Sequence, residues 1–271
     1  MERYAIHRLD SVAFHLFGLD FHWYWLFYLL GSLWIFYMGQ ALIGRGYGNI
    51  SRGHFVKMCW PAWLALFLGS RVFYILIYHP RYFMENPEMI PKIWAGGMSF
   101  HGALVGIVAI VVFQARLLKI SPLHFTDMVA TLAPLGLMLG RIGNFINGEL
   151  VGKITRVPWA VIFPKALDEA PRHPSQLYGA LVEGLLLFIL LYGQKKYLYL
   201  KGHQSILFLF AYGVGRLIVG FFRAPDPQWG PVLGPLSLGQ LFCTAMIAWA
   251  LLMEWHFRPF RIRFGVNGGK I

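Results

Sequence analysis

Apolar runs of about 20 residues, each long enough to cross a bilayer as a helix, recur from one end of the chain to the other. They lie near residues 21–43, 55–78, 98–118, 125–145, 176–192, 204–222 and 238–256, and they predict about seven transmembrane helices. Because the runs continue along the whole length, the first is expected to be a span and not a cleaved signal peptide. The polar stretches between them are short except for two, 80–97 and 148–175. Neither is long enough to build a core of its own. Residues 1–271 are therefore expected to form a single polytopic domain, an all-α integral membrane protein. No internal repeat or low-complexity tract is visible.

Composition agrees: 57% of the residues are hydrophobic and only 13% charged, with ten tryptophans, a balance that excludes an ordinary soluble domain. A net charge of +12 would suit nucleic acid if the basic residues formed a patch. They lie instead in short loops, where they read as topology signals and contacts for anionic membrane lipids, so no nucleic-acid partner is expected. With the N-terminus outside (periplasmic), 12 of the 24 Lys and Arg fall in cytoplasmic segments and nine in outer ones, Arg3, Arg8 and Arg223 among them. Compact basic clusters at 195–201 and in the tail 257–271 favour that orientation, with a cytoplasmic C-terminus and 80–97 and 148–175 on the outer face. Tyr78, Tyr82, Trp94 and Trp159 suit an interfacial belt. Cys59 and Cys243 fall inside apolar runs and read as packed thiols.

The remaining three basic residues, Arg71, Arg141 and Arg216, lie inside apolar runs, where charge is costly and usually marks a site. Arg141 belongs to the most unusual stretch of the chain, GRIGNFINGELVG at 140–152, which packs one arginine, two asparagines, one glutamate and four glycines into 13 residues. In the predicted topology six spans bring polar groups to the outer half of the bundle. They are Tyr24, Arg71, His101, Arg141 with Asn144, the group His173, Ser175, Gln176 and Tyr178, and Tyr212 with Arg216, followed by Arg223 and Asp226. The inner half is plainer; Asp127 beside Thr126 reads as a helix N-terminal cap. Three arginines on one side demand an anionic partner. Glu149 is the chief carboxylate available, with Glu183 farther along the fifth run, and a lipid phosphate is the other candidate because a guanidinium grips phosphate in a bidentate way. Plainer readings stand beside these. Arg71 is compatible with snorkelling, Tyr24 with the aromatic belt, Tyr178 and Tyr212 with packing, His101 with a structural histidine, and Asn144 and Asn147 with bridging between helices.

GRIGNFINGELVG closely resembles the signature of bacterial prolipoprotein diacylglyceryl transferases. Four further elements occur in that family's order: HWYW, GGMSFHG, RHPSQLY, and Tyr212-Gly-Val-Gly-Arg216 followed by FFRAPD. The resemblance implies a multi-pass enzyme of the bacterial plasma (inner) membrane with its active site toward the periplasmic face. It would transfer the sn-1,2-diacylglyceryl group of phosphatidylglycerol to the lipobox cysteine thiol of a prolipoprotein signal peptide, form a thioether and release glycerol 1-phosphate. No cofactor or metal is expected. By the same resemblance His101 is the candidate general base, and Arg141 and Arg216 hold the headgroup phosphate and stabilise the leaving group. Tyr24 and Tyr212 orient phosphate or glycerol, and Asn144, Asn147, Glu149 and Gly152 shape the headgroup pocket, with Arg71 as a further phosphate contact.

Two departures stand out. Relatives commonly carry glutamate where this chain has Gly179, and again where it has Gly220. Both changes remove an acid from the arginine-rich side, so Glu149 is expected to be the counter-charge that remains. The rival readings are a transporter or channel for an anionic solute, argued against by the absence of a repeat, and a non-catalytic lipid-binding scaffold, which would not need His101.

Overall fold

A computed structural model of the chain describes residues 4–16, 19–92, 96–166, 168–224, 231–233 and 236–265. Arg3, Trp94, Asp226 and the end of the basic tail, named above, lie outside the described residues. Among the described residues seven helices are long and apolar enough to cross a membrane, and the chain is an all-α, multi-pass membrane protein. Their order is α1 (Trp23–Gly44), α2 (Arg52–Phe73, continued by a wider turn, Tyr74–Tyr78), α4 (Phe100–Leu118), α5 (Pro122–Asn147), a fifth span at Ser175–Gly193, α8 (His203–Phe222) and α9 (Leu238–Gly265). The fifth span is composite: α6 (Ser175–Gly179), a π-helical stretch (Ala180–Leu186) and α7 (Leu187–Gly193). A short helix, α3 (Pro80–Glu85), lies in the segment before α4.

The apolar pattern predicts these spans well, their ends shifting by a few residues at most. Ser51 and Ser99 start α2 and α4 by accepting from the backbone N–H of His54 and Gly102. The long runs also sort by burial. The richest windows of α5, the fifth span and α8 are 33–39% buried, against 17% for α1, α2 and α4, so α5, α6–α7 and α8 form the centre and the others offer apolar flanks to lipid. Helices α2 and α4 approach so closely that a methyl on Gly69 would lie 2.5 Å from the Gly102 carbonyl, the small-residue packing that lets membrane helices meet without a hydrophobic driving force between them.

The principal apolar cluster sits at one end of the bundle, where α1 ends and α5 begins: Leu42, Phe55, Met58, Val111, Phe125, Met128 and Leu132 are all buried there. Asp127 is buried beside it and departs from expectation. It does not cap its own helix. Its carboxylate accepts from the backbone N–H groups of Gly202 (2.6 Å) and Ser205 (2.8 Å) and from the Ser205 hydroxyl (2.7 Å), so it caps the start of α8, 75 residues away in sequence. The bond is of the expected kind; its partner is a different helix.

Short strands, absent from the sequence reading, gather at the other end. β1 (Ala5–Ile6) pairs parallel with β4 (Val161–Ile162), which pairs antiparallel with β5 (Pro171–Arg172). A hairpin of β2 (Val12–Leu16) and β3 (Leu19–His22) leads into α1, and β6 (Pro231–Leu233) pairs with β7 (Leu236–Ser237) before α9. Strands of two residues carry no readable alternation, which is why the pattern of 148–175 gave no sign of them.

Candidate functional site

The stretch 140–152 divides at Gly148. Its first part is the last two turns of α5. Gly148 then takes a left-handed conformation (φ 67°) that ends the helix, as glycine does at little cost, and the Glu149 N–H returns to the Asn144 carbonyl at 3.1 Å. Beyond it the chain runs as a strand-like segment between two others. Gly152 N–H donates to the His173 carbonyl (3.1 Å), Lys153 N–H to that of Phe222 (2.8 Å), and Ala224 N–H to that of Val151 (3.1 Å). A side chain at Gly152 would collide with the carbonyls of His173 and Phe222. Gly152 therefore lets the signature seat between the entry to the fifth span and the exit of α8.

That seating brings the arginines of α5 and α8 to one carboxylate. Arg141 donates through Nε (3.0 Å) and Nη2 (2.7 Å) to one oxygen of Glu183, and Arg216 Nη1 lies 3.6 Å from the other. Glu183, in the π-helical stretch of the fifth span, is 1% exposed. An ionised carboxylate so enclosed is tolerable only because it is paired. This corrects the expected counter-charge: the arginines meet Glu183, whereas Glu149 is exposed and its carboxylate accepts from Asn144 (2.8 Å) and Asn147 (3.2 Å). Gln176, Gly179 and Glu183 follow one another at helical spacing along one stripe of the fifth span, and Arg141 runs along it. A β-carbon on Gly179 would lie 3.1 Å from Arg141 Cδ and 3.2 Å from its Nε. The place of the second missing acid is backed by Gln240, whose side chain a β-carbon on Gly220 would meet at 2.9–3.0 Å. Gln240 is itself engaged in a capping box, accepting from Ser237 N–H (2.9 Å) while its own N–H donates to the Ser237 hydroxyl (3.3 Å).

Arg141, Glu183, Arg216 and Arg223 line one small cleft together with Leu150, Ser175, Gln176 and Val219. Two arginines sharing one carboxylate leave the pair with a net positive charge, so the cleft favours an anion. Tyr212, 1% exposed, stacks on Phe100 at 4.5 Å beside this group, and Tyr24 hydrogen-bonds the Tyr28 hydroxyl at 3.2 Å while its ring covers Gly143 on α5. His101, in the first turn of α4, lies against Phe242 (4.8 Å) and Phe100 (5.6 Å). Its Nε2 is buried without a hydrogen-bond partner among the described residues, and the Arg216 charge reaches its ring.

Arg71 is placed differently. Its guanidinium donates to the carbonyls of Met89, Ile90, Lys92, Gly96 and Gly97 and lies 5.0 Å from the Phe83 ring. It clamps the segment between α2 and α4, and its donors are taken up by backbone. Around the cleft's rim, the Arg172 guanidinium binds the Asp168 carboxylate and holds its carboxyl below the usual carboxylate range. Tyr178 joins Trp159 (2.7 Å) to His173 (3.0 Å), and burial lowers the basicity of the His173 imidazole. Glu183 and the Gln176 amide are the functional groups that sequence reasoning underweighted; the helical spacing through Gly179 was the available signal.

Comparison with known proteins identifies the family. The family model described as prolipoprotein diacylglyceryl transferase matches residues 11–256. Proteins named phosphatidylglycerol–prolipoprotein diacylglyceryl transferase are similar over almost the whole chain. The one from Aeromonas salmonicida is 41% identical over 97% of this chain and 95% of its own. That of Bordetella avium is 40% identical over 91% and 94%, and that of Idiomarina loihiensis 43% over 90% and 92%. The chain belongs to the prolipoprotein diacylglyceryl transferase family, and it is a transferase.

Proposed function

We propose that this enzyme transfers the sn-1,2-diacylglyceryl group of phosphatidylglycerol to the lipobox cysteine thiol of prolipoprotein signal peptides, the first step of lipoprotein maturation. The observation that carries the reading is the cleft in which Arg141 and Arg216 converge on Glu183, an anion site inside a membrane bundle beside an unpartnered histidine nitrogen. The phosphate of the lipid sits against Arg141 and Arg216, with Tyr24 and Tyr212 orienting it. Asn144, Asn147 and Glu149 hold the wall of the headgroup pocket, and Gly152 holds its position. Arg71 serves the same site from a distance, by holding backbone carbonyls on the described residues between α2 and α4.

In the reaction the cysteine sulfur gives up its proton to the His101 imidazole, acting as general base. Sulfur then bonds to the glyceryl carbon as the carbon–oxygen bond to phosphate breaks. The electron pair goes to the phosphate, which departs as glycerol 1-phosphate with its added charge met by the arginines. The site faces outward, with the N-terminus periplasmic, the tail 257–271 cytoplasmic and the protein in the bacterial inner membrane. The basic clusters of the inner loops support this orientation.

Purified protein incubated with phosphatidylglycerol and a lipobox peptide tests the reading. The peptide is expected to gain the mass of one diacylglyceryl group, with glycerol 1-phosphate appearing in equal amount. No mass gain, with anion flux in vesicles holding the protein, would replace the transferase reading with a transporter.

A further inference from the structure

Gln176 is 2% exposed and lines the cleft with Arg141, Arg216 and Glu183. Its amide nitrogen donates to the Glu149 carbonyl at 2.5 Å, which settles the orientation of the amide, since the opposite one would set oxygen against oxygen. The side-chain oxygen is left buried with no hydrogen-bond partner among the described residues. Buried acceptors are nearly always satisfied, so an orphan in a cleft awaits a donor from outside the protein.

The chemistry of the cleft narrows that donor. A phosphate oxygen would be repelled by an amide oxygen, so the anion itself is not the partner. An ammonium headgroup would donate, but it would stand among Arg141, Arg216 and Arg223, like charges that disfavour it. A neutral hydroxyl satisfies the acceptor without that conflict. We infer that the Gln176 side-chain oxygen accepts a hydrogen bond from a hydroxyl of the lipid's headgroup glycerol, which makes Gln176 a specificity-determining residue for phospholipids with a polyol headgroup. The inference rests on the transferase reading above. The arginines then select for an anionic lipid, and Gln176 distinguishes glycerol from other uncharged heads.

The test compares two donors that differ only in hydroxyls: phosphatidylglycerol and phosphatidylpropanol. Both carry the same diacylglyceryl group and phosphodiester, and transfer is read as peptide mass gain. The wild-type enzyme is expected to prefer phosphatidylglycerol by about tenfold in kcat/KM, the scale of an acceptor left unpaired when a donor is removed. Gln176→Met, similar in length but without the acceptor, is expected to bring the ratio to within about twofold, whatever the two absolute rates. The ratio separates recognition from damage, since a loosened fold lowers both rates together. A full preference retained by Gln176→Met overturns the inference, and so does a wild-type enzyme that uses both lipids equally, whether or not the variant folds. Transfer from neither lipid by the wild type overturns the transferase reading along with it.

Discussion

Two buried carboxylates, Asp127 near the start of α5 and Glu183 midway along the fifth span, are handled in opposite ways. Asp127 is 1% exposed and both of its oxygens accept short hydrogen bonds from the start of α8. Around it lies the larger apolar cluster. Glu183 is equally buried, but only one of its oxygens is hydrogen-bonded; the other faces Arg216 at 3.6 Å, longer than a hydrogen bond. The Gln176 oxygen on the same cleft and the His101 nitrogen, which the Arg216 charge reaches, also have no hydrogen-bond partner among the described residues. A saturated buried charge fastens helices. One left with spare bonding capacity beside two cations is arranged for a ligand. An orphan atom alone is no such sign: Gln204 also has an unpartnered oxygen but is 0% exposed, whereas Gln176 opens on the cleft.

The comparison predicts that damage at the two carboxylates differs in kind. The largest effect is expected from His101→Ala, which removes the base: thioether formation falls by about a hundredfold to ten-thousandfold while the protein still inserts and purifies. Full activity of that variant in the peptide assay would remove His101 from the mechanism.

Next are the two carboxylates as a pair. Glu183→Gln breaks a buried ion pair and is expected to lower stability by about 3–5 kcal/mol. By releasing two guanidiniums, it is also expected to lower the rate per folded molecule on the order of a hundredfold. Asp127→Asn weakens charged hydrogen bonds, costing about 2 kcal/mol, and leaves the rate per folded molecule at the wild-type level. Thermal unfolding in detergent and turnover normalised to folded protein separate the two. A rate loss in Asp127→Asn matching that of Glu183→Gln would erase the distinction between the two carboxylates.

Gly179→Ala tests the stripe that guides Arg141. Its methyl would press on the arginine stem at about 3.1 Å, and a KM for phosphatidylglycerol raised a few-fold is expected, with folding intact.

The smallest effect concerns the rim. The Asp168 carboxyl is held low by its hydrogen bond to Arg172. Its folded value lies below the unfolded one, so its contribution is present above about pH 4 and fades as the pH falls further. His173, lowered by burial, acts earlier, since the unfolded chain gains protons first as the pH falls through about 6.5. Hydrogen exchange of segment 148–175 should quicken in those two windows, and Asp168→Asn should remove only the lower one.

The spans were legible because 20 apolar residues in a row have little alternative, and Arg141 and Arg216 were legible because charge inside such a run is rare. What escaped was partnership. Glu149 sits in the signature, a few residues after the arginine in sequence, and is the expected counter-charge; yet Gly148 turns the chain out of the helix before it, which leaves Glu149 exposed. Glu183 is 42 residues from Arg141; the sequence offers it as a second carboxylate, and its i, i+4 relation to Gly179 is the signal that would have ranked it first. The cap that Asp127 provides was recognisable as a cap, but its partner helix is set by tertiary packing. The same holds for β1, β4 and β5, whose pairs join residues far apart in the chain.

The central claim is that Arg141, bound to Glu183 and shared with Arg216 across one cleft, grips the lipid phosphate during transfer. Purified Arg141→Ala assayed beside the wild type, with phosphatidylglycerol and a lipobox peptide, tests it most directly. The account predicts a rate of diacylglyceryl mass gain lower by about a hundredfold to a thousandfold. A wild-type rate from the purified variant would contradict it.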